Sequence, residues 1–271
     1  MTVSQLNKII FSVIVLSLLS GCANGFLNIG STGYTPPTQS SPQGGYDPLL
    51  VSASESSPPD IITISQQGWQ ETNTSTGIKI YHDQTNLNNY LFLVNPTTHT
   101  FEVQNQFQTL YRHFDHASNP QCVFNGGFFE PDGTPTLTLI SSSNIITGKK
   151  DGEFSGRIIL NQGTYFTYQD LPLGTSSSVA GISGLKPSFY KNDSTITNRT
   201  IIGLLNGYLV ISITQNKTVD SQVKFLEQFG VVSDSITVLD SGLSTQFKCV
   251  DALEFIAEHR KLGSVIVVNF R

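Results

Sequence analysis

A carboxylate at the end of a buried strand is poised for chemistry, because burial disfavours its charged form and lifts its pKa toward the range useful for proton transfer. The stretch Ile236-Thr-Val-Leu-Asp-Ser-Gly-Leu-Ser-Thr-Gln-Phe247 carries such a placement. Ile236 to Leu239 is apolar and β-branched, which predicts a buried strand, and it stops at Asp240, Ser241 and Gly242. Gly242 permits a sharp turn or the close approach of a ligand to the backbone. Gln121-Cys-Val-Phe-Asn-Gly-Gly-Phe-Phe-Glu130 repeats the pattern, with Asn125, Gly126 and Gly127 after the apolar residues and two aromatics beyond. Asn125 offers an amide to hydroxyl or phosphate oxygens, and the amides following Gly126 and Gly127 suit an anion. Glu130 adds a second carboxylate, although it fits the adjacent turn equally well. Both stretches also read as ordinary turns, Asp-Ser-Gly in one and Asn-Gly in the other.

Helix-like segments, Asn105 to Asp115 and Asp220 to Phe229, each precede one of these strands. Two strands entered in this way can run alike in one sheet, which would bring both polar ends to one rim, where ligands collect in open sheets. The second helix is well marked: Asp220 or Ser221 as its cap, Val223, Leu226 and Phe229 as its buried stripe, and Gly230 as its stop. In the first, Phe107, Leu110, Tyr111 and Phe114 form a core stripe. His113 and His116 lie on it without the further ligands that a metal requires. Between the two strands, Arg199 and Thr200 head the apolar run Ile201 to Leu205.

Taken in order, Asn125-Gly126-Gly127-Phe128-Phe129, Arg199-Thr200-Ile201-Ile202-Gly203 and Leu239-Asp240-Ser241-Gly242-Leu243-Ser244 resemble the landmarks of the phosphodiester glycosidase domain family. Those landmarks are Asn-Gly-Gly-Phe-Phe, Arg-Thr-x-x-Gly and Leu-Asp-Gly-Gly-x-Ser. The resemblance runs from about Gly77 to the C-terminus and departs at Ser241, where the family has glycine. It implies hydrolysis between an anomeric sugar carbon and a phosphate esterified elsewhere. Ordinary glycoside hydrolysis uses two carboxylates, one of them to protonate the leaving group. Phosphate, with a second pKa near 6, departs with little protonation, so a cation takes over part of the acid's role. On this resemblance Arg199 is that cation, suited to two-pronged contact with phosphate oxygens. Asp240 serves as base toward water or as stabiliser of an oxocarbenium-like centre, and Asn125 completes the catalytic set. Gly126, Gly127, Gly242, Ser244 and Glu130 are substrate-binding positions, with Ser244 orienting Asp240 or touching phosphate. The expected partner is a phosphorylated glycan or sugar-1-phosphodiester, with no cofactor and no metal. Ser241 also supports the alternative of a glycan-binding or structural lipoprotein that keeps the fold without turnover.

The N-terminus supplies an address. Residues 1–21 carry Lys8 as their only charge, ahead of the apolar run Ile9 to Leu19, which is too short for a comfortable membrane span and reads as a secretory signal. Leu19-Ser20-Gly21-Cys22 resembles the bacterial lipoprotein signal, in which Cys22 is lipidated and begins the mature chain; an ordinary signal cleaved nearby is the alternative. The lipids would tether the protein to a membrane of the cell envelope. Ala23, rather than aspartate, after the cysteine implies the outer membrane, facing the periplasm. Residues 22–60, rich in Ser, Pro, Gly and Thr, read as a flexible stalk, and residues 61–271 as one domain with its own core. Charged residues are 13% of the chain, about half the usual share, as suits an envelope protein. The formal net charge of −5 gives no footprint for nucleic acid. With Cys22 lipidated, Cys122 and Cys249 remain as an even pair in an oxidising compartment, either a disulfide bracing the site or two buried thiols.

Trp69 to Ile80 opens the domain, and Tyr90–Val94, Thr100–Gln104, Leu137–Ile146, Arg157–Leu160, Thr164–Tyr168, Tyr208–Thr214 and Val265–Phe270 read as further strands. Gly181 to Pro187 reads as a glycine-punctuated loop. Asp251 caps a last helix that Gly263 ends. Strands predominate over three or four helices, so the expected class is α+β, a mixed, strand-rich sheet with a few packed helices in a single domain.

Overall fold

The computed structural model describes residues 68–271 apart from Asn73 and Thr175. The signal at residues 1–21, Cys22 and the stalk to residue 60 lie outside the described residues.

The alternation of side chains across the strands explains the layers. In Tyr90–Val94, Phe92 and Val94 face one apolar cluster while Leu91 and Leu93 face another. Thr197–Leu205 divides likewise, Ile202 and Leu204 to the first cluster, Ile201 and Leu205 to the second. In Pro120–Asn125, Cys122 and Phe124 point to the first cluster and Val123 to a third. These strands are buried on both faces, which is why they read as continuous apolar runs. Two sheets meet across the first cluster, where Phe92, Phe124 and Phe247 pack edge to face or stacked. Helix Val219–Gln228 covers the outer face of the larger sheet through Val219 and Leu226. Helix Leu110–His116 covers the smaller sheet through Leu110.

The larger sheet has 11 strands, with Tyr90–Val94, Tyr208–Lys217, Thr197–Leu205, Thr237–Val238 and Ala180–Leu185 adjacent in that order through its middle. The smaller runs Glu254–Ile256, Gln246–Cys249, Pro120–Asn125, Val265–Phe270, His99–Gln104. Every pairing among these neighbours is antiparallel.

Several expectations need correction. The described residues are strand-dominated, with two α-helices, Leu110–His116 and Val219–Gln228, rather than an α+β balance. Pro120–Asn125 and Thr237–Val238 lie in different sheets, so their ends meet between layers and not along one rim. The segment 181–187 is largely a strand, Ala180–Leu185, buried throughout. Its glycines serve close packing: a Cβ on Gly184 would stand 2.2 Å from the Val238 carbonyl oxygen. The helix expected from Asp251 to Gly263 is absent. Asp251 and Ala252 take φ of 63° and 60°, left-handed values that stop a helix, and the chain continues into strands Glu254–Ile256 and Lys261–Leu262. The cap of the second helix is Thr218, whose hydroxyl accepts the Ser221 N–H at 3.2 Å, and not Asp220 or Ser221. In the first helical segment Phe107 stands outside the helix and is exposed, so it is not part of the core stripe.

Candidate active site

Asp240 lies where the two sheets come together. The Leu239 N–H donates to the Thr200 carbonyl at 2.9 Å, and the Asp240 N–H donates to the Gly126 carbonyl at 3.2 Å. The chain leaving the larger sheet is thereby passed to the end of the smaller one. Asn125, fully buried, clamps this crossing. Its Nδ2 donates to the Asp240 carbonyl at 2.7 Å, and its Oδ1 accepts from Thr200 Oγ1 at 2.7 Å and from the Gln246 N–H at 3.1 Å. The oxygen of that amide has both lone pairs occupied, so the side chain holds three strands and residue 240 together, with one Nδ2 proton not used by these bonds. The disulfide Cys122–Cys249 joins the same two strands of the smaller sheet, at residues paired in their ladder.

The glycines of the Asn-Gly-Gly segment are set by packing. The Gly126 N–H is taken by the Ser264 carbonyl at 2.9 Å, and a Cβ on Gly127 would lie 2.4 Å from the Ser183 carbonyl oxygen. A trans peptide directs its N–H opposite to its C=O. With the Gly126 carbonyl on Asp240, the Gly127 amide points away from the Asp240 backbone and does not extend an anion cradle there.

Burial dominates the Asp240 carboxyl and pushes it up to about 6 from the ordinary 3.8. The Ser244 hydroxyl, the Ser241 N–H and the charge of Arg260 favour the ionised form and offset part of that rise. The Ser241 N–H donates to Asp240 Oδ1 at 2.9 Å. Ser244 is buried beside it in the turn Gly242–Ser244, opened by Gly242 at φ 67°. Ser241 has φ −132° and ψ −173°, an extended backbone that serine adopts without strain, and its hydroxyl is turned onto the Leu239 carbonyl at 3.0 Å. The departure from glycine at 241 therefore leaves the turn intact.

Arg199 is engaged by the protein itself. Thr200 and Ile202 face the space between the sheets, so the pleat sends Arg199, with Ile201, to the outer side. There it is buried, with Nη2 donating to the Thr195 carbonyl at 2.7 Å and Nε to the Lys217 carbonyl at 3.3 Å. Its guanidinium lies 5.7 Å over the Tyr190 ring and 3.8 Å from Asp193. Burial lowers its pKa and the Tyr190 and Asp193 charges oppose that. Its Nη2 thus ties the segment 190–195 to the strand, and its Nε ties the strand to its neighbour at Lys217. A groove of about 600 Å³ lies alongside, lined by Pro187, Tyr190, Lys191, Asp193 and Val219 among others, but not by Asp240. Glu130 is likewise occupied: Lys150 meets its carboxylate at 3.2 Å and Thr136 donates to it at 3.2 Å. The structure does not bring it to Asp240.

Thr200, Gln246, Tyr190 and Arg260 escaped the sequence reading. Thr200 carried a signal, its place beside Arg199 in the strand start, whereas the others take their roles only from tertiary contacts. Burial raises the Tyr190 phenol; the Arg199 charge opposes that rise, and Asp240 and Asp193 add to it. No group of three or more His, Cys, Asp or Glu among the described residues is arranged to hold a metal ion. His113 is a core histidine whose Nδ1 lies 2.9 Å from Gln104 Oε1, and burial pushes it down to about 4.

No protein-family model matches the chain, and no curated protein sequence matches it. Its structure is similar to that of the zebrafish N-acetylglucosamine-1-phosphodiester alpha-N-acetylglucosaminidase catalytic domain, auto-inhibited by its pro-peptide. The TM-score is 0.54 with 16% sequence identity, covering 75% of this chain and 82% of that one. The chain therefore has a phosphodiester glycosidase-like fold.

Proposed function

On that fold, we propose that the chain is a hydrolase that cleaves the bond between an anomeric sugar carbon and the phosphate of a phosphodiester. The observation that carries this reading is the Asp240 carboxyl, clamped at the junction of the sheets and raised to about 6. Near neutral pH such a group is largely ionised, so it acts as base or as electrostatic stabiliser. The anomeric C–O bond breaks with its electron pair leaving on the phosphate oxygen, water adds to the anomeric carbon, and the water's proton passes to Asp240. Asn125 and Ser244 position the carboxylate in this scheme. The lipoprotein-like start of the sequence and its low charge support a protein anchored through Cys22 in the outer membrane, facing the periplasm, and acting on a cell-envelope or exopolysaccharide glycan.

The test is to incubate the full-length protein with α- and β-linked sugar-1-phosphodiesters, nucleotide sugars included, and to follow the anomeric NMR signals. Wild-type protein is expected to release free sugar and Asp240→Asn to release none; equal rates in a folded Asp240→Asn protein would refute the assignment. A second reading, a glycan binder without turnover, is favoured by the engagement of Asn125 and Arg199 with the protein itself. Binding without release of sugar would select it.

A further inference from the structure

If the site handles a phosphodiester, a cation must meet the phosphate, and two nitrogens of Arg199 already donate to backbone carbonyls. We infer that Arg260 is the phosphate-binding residue of the Asp240 site, its guanidinium presented on the ring of Phe129.

Three placements carry this inference, which rests on the hydrolase reading above. The Arg260 guanidinium lies 5.6 Å over the Phe129 ring. The residue is exposed, and its side chain has no hydrogen-bond or ion-pair partner among the described residues. Phe129 belongs to the loop that starts at Gly126, whose carbonyl holds the Asp240 N–H. That loop is stitched to the segment carrying Arg260: Gly126 N–H donates to Ser264, and a Cβ on Gly263 would lie 2.4 Å from the Phe129 Cβ. From the other side, the Ala257 N–H donates to the Thr245 carbonyl at 3.2 Å, tying the approach to Arg260 to the turn that follows Asp240. Arg260 and Asp240 are thus held by the same two segments, and the Arg260 charge reaches the Asp240 carboxyl.

A guanidinium with its donors unused meets two phosphate oxygens at once. Stacking on an aromatic face restricts its rotamers beforehand, so less freedom is lost on binding. The pairing divides the work: the cation takes the phosphate, and the carboxylate faces the anomeric carbon and water.

Isothermal titration of the full-length protein with α-glucose 1-phosphate and with inorganic phosphate tests this independently of turnover. Arg260→Ala is expected to weaken binding of the sugar phosphate about ten- to hundredfold, the loss of a charge-assisted pair. Arg260→Lys is expected to recover part of it, and Lys261→Ala, which removes an adjacent charge, to change it little. A second readout is the titration of the Asp240 carboxyl by carbon NMR, whose midpoint rises in Arg260→Ala. Unchanged affinity in Arg260→Ala, an equal loss in Lys261→Ala, or no binding of either probe by wild-type protein overturns the inference. Phosphate binding that depends on Arg260 in a protein that cleaves nothing would keep this residue's role and discard the hydrolase. Cleavage with affinity indifferent to Arg260 would do the reverse.

Discussion

Replacing Asp240 by asparagine should stabilise the protein at neutral pH while removing turnover. The folded-state pKa of about 6 lies above the ordinary 3.8, so the folded protein binds more protons than the unfolded chain between those values. Stability therefore falls as pH rises through that window, and the ionised carboxylate destabilises the fold above it. Fully expressed, the difference corresponds to about 3 kcal/mol at 1.36 kcal/mol per pH unit. Asp240 is partly exposed, and solvent relaxation reduces the realised cost to about 1–2 kcal/mol. Asparagine is uncharged at every pH and keeps an oxygen for the Ser241 N–H. For a domain of about 200 residues, the gain at pH 7.5 is worth about 3–6 °C in melting temperature. At pH 4 the wild-type carboxyl is protonated in the fold and most of the gain disappears. Scanning calorimetry of both proteins at the two pH values isolates the effect as a difference of differences, which cancels any hydrogen bond lost in the variant. If the Asp240→Asn advantage is no larger at pH 7.5 than at pH 4, the carboxyl is not desolvated in the way argued here.

The rate should carry the same signature. With Asp240 as base, kcat/KM is expected to rise with pH through a limb near 6, and a profile flat from pH 4.5 to 7.5 would deny it that role. Arg199→Ala removes two part-buried donations to backbone carbonyls and should cost about 1–3 kcal/mol in urea unfolding, with the folded protein's affinity for α-glucose 1-phosphate unchanged. A lost affinity with intact stability would return Arg199 to the phosphate.

Much of the scaffold was legible because its strands are buried on both faces. Tyr90–Val94 and Val265–Phe270 could hardly be anything else, being apolar runs bounded by turns. Asp240 was legible too, as a charge set where an apolar run ends. What escaped depends on partners remote in sequence. Asn125 and Asp240 meet across a separation of 115 residues, and nothing local tells whether an Asn-Gly amide faces a ligand or the protein's own backbone. Ala180–Leu185 looked like a loop because the glycines that let it approach Val238 are the residues that normally mark loops. The apparent helix from Asp251 had a capping residue and a terminating glycine, but Asp251 instead bonds its carboxylate to Ser75 at 2.6–2.7 Å in a left-handed turn. That misreading also hid Arg260, which stands between the strands Glu254–Ile256 and Lys261–Leu262 and not in a helix.

The clamp and the carboxyl are best understood as one device. Asn125 makes three hydrogen bonds at the crossing between the sheets, each contributing about 1 kcal/mol net. Their sum exceeds the cost of about 1–2 kcal/mol for the half-buried Asp240 carboxylate. Each bond fixes a different strand or turn, so the energy that holds residue 240 against solvent comes from the junction itself and not from any partner of the carboxylate. The carboxyl can then stay free of an ion pair, with its pKa raised, without the turn drifting outward to rehydrate it. A salt bridge would have fixed Asp240 as firmly but would have returned its pKa toward that of an ordinary carboxylate. The same logic separates the two arginines. Arg199 spends two of its donors on holding segments in place, whereas Arg260, positioned by a ring and by backbone ties on either side, keeps its donors for a ligand.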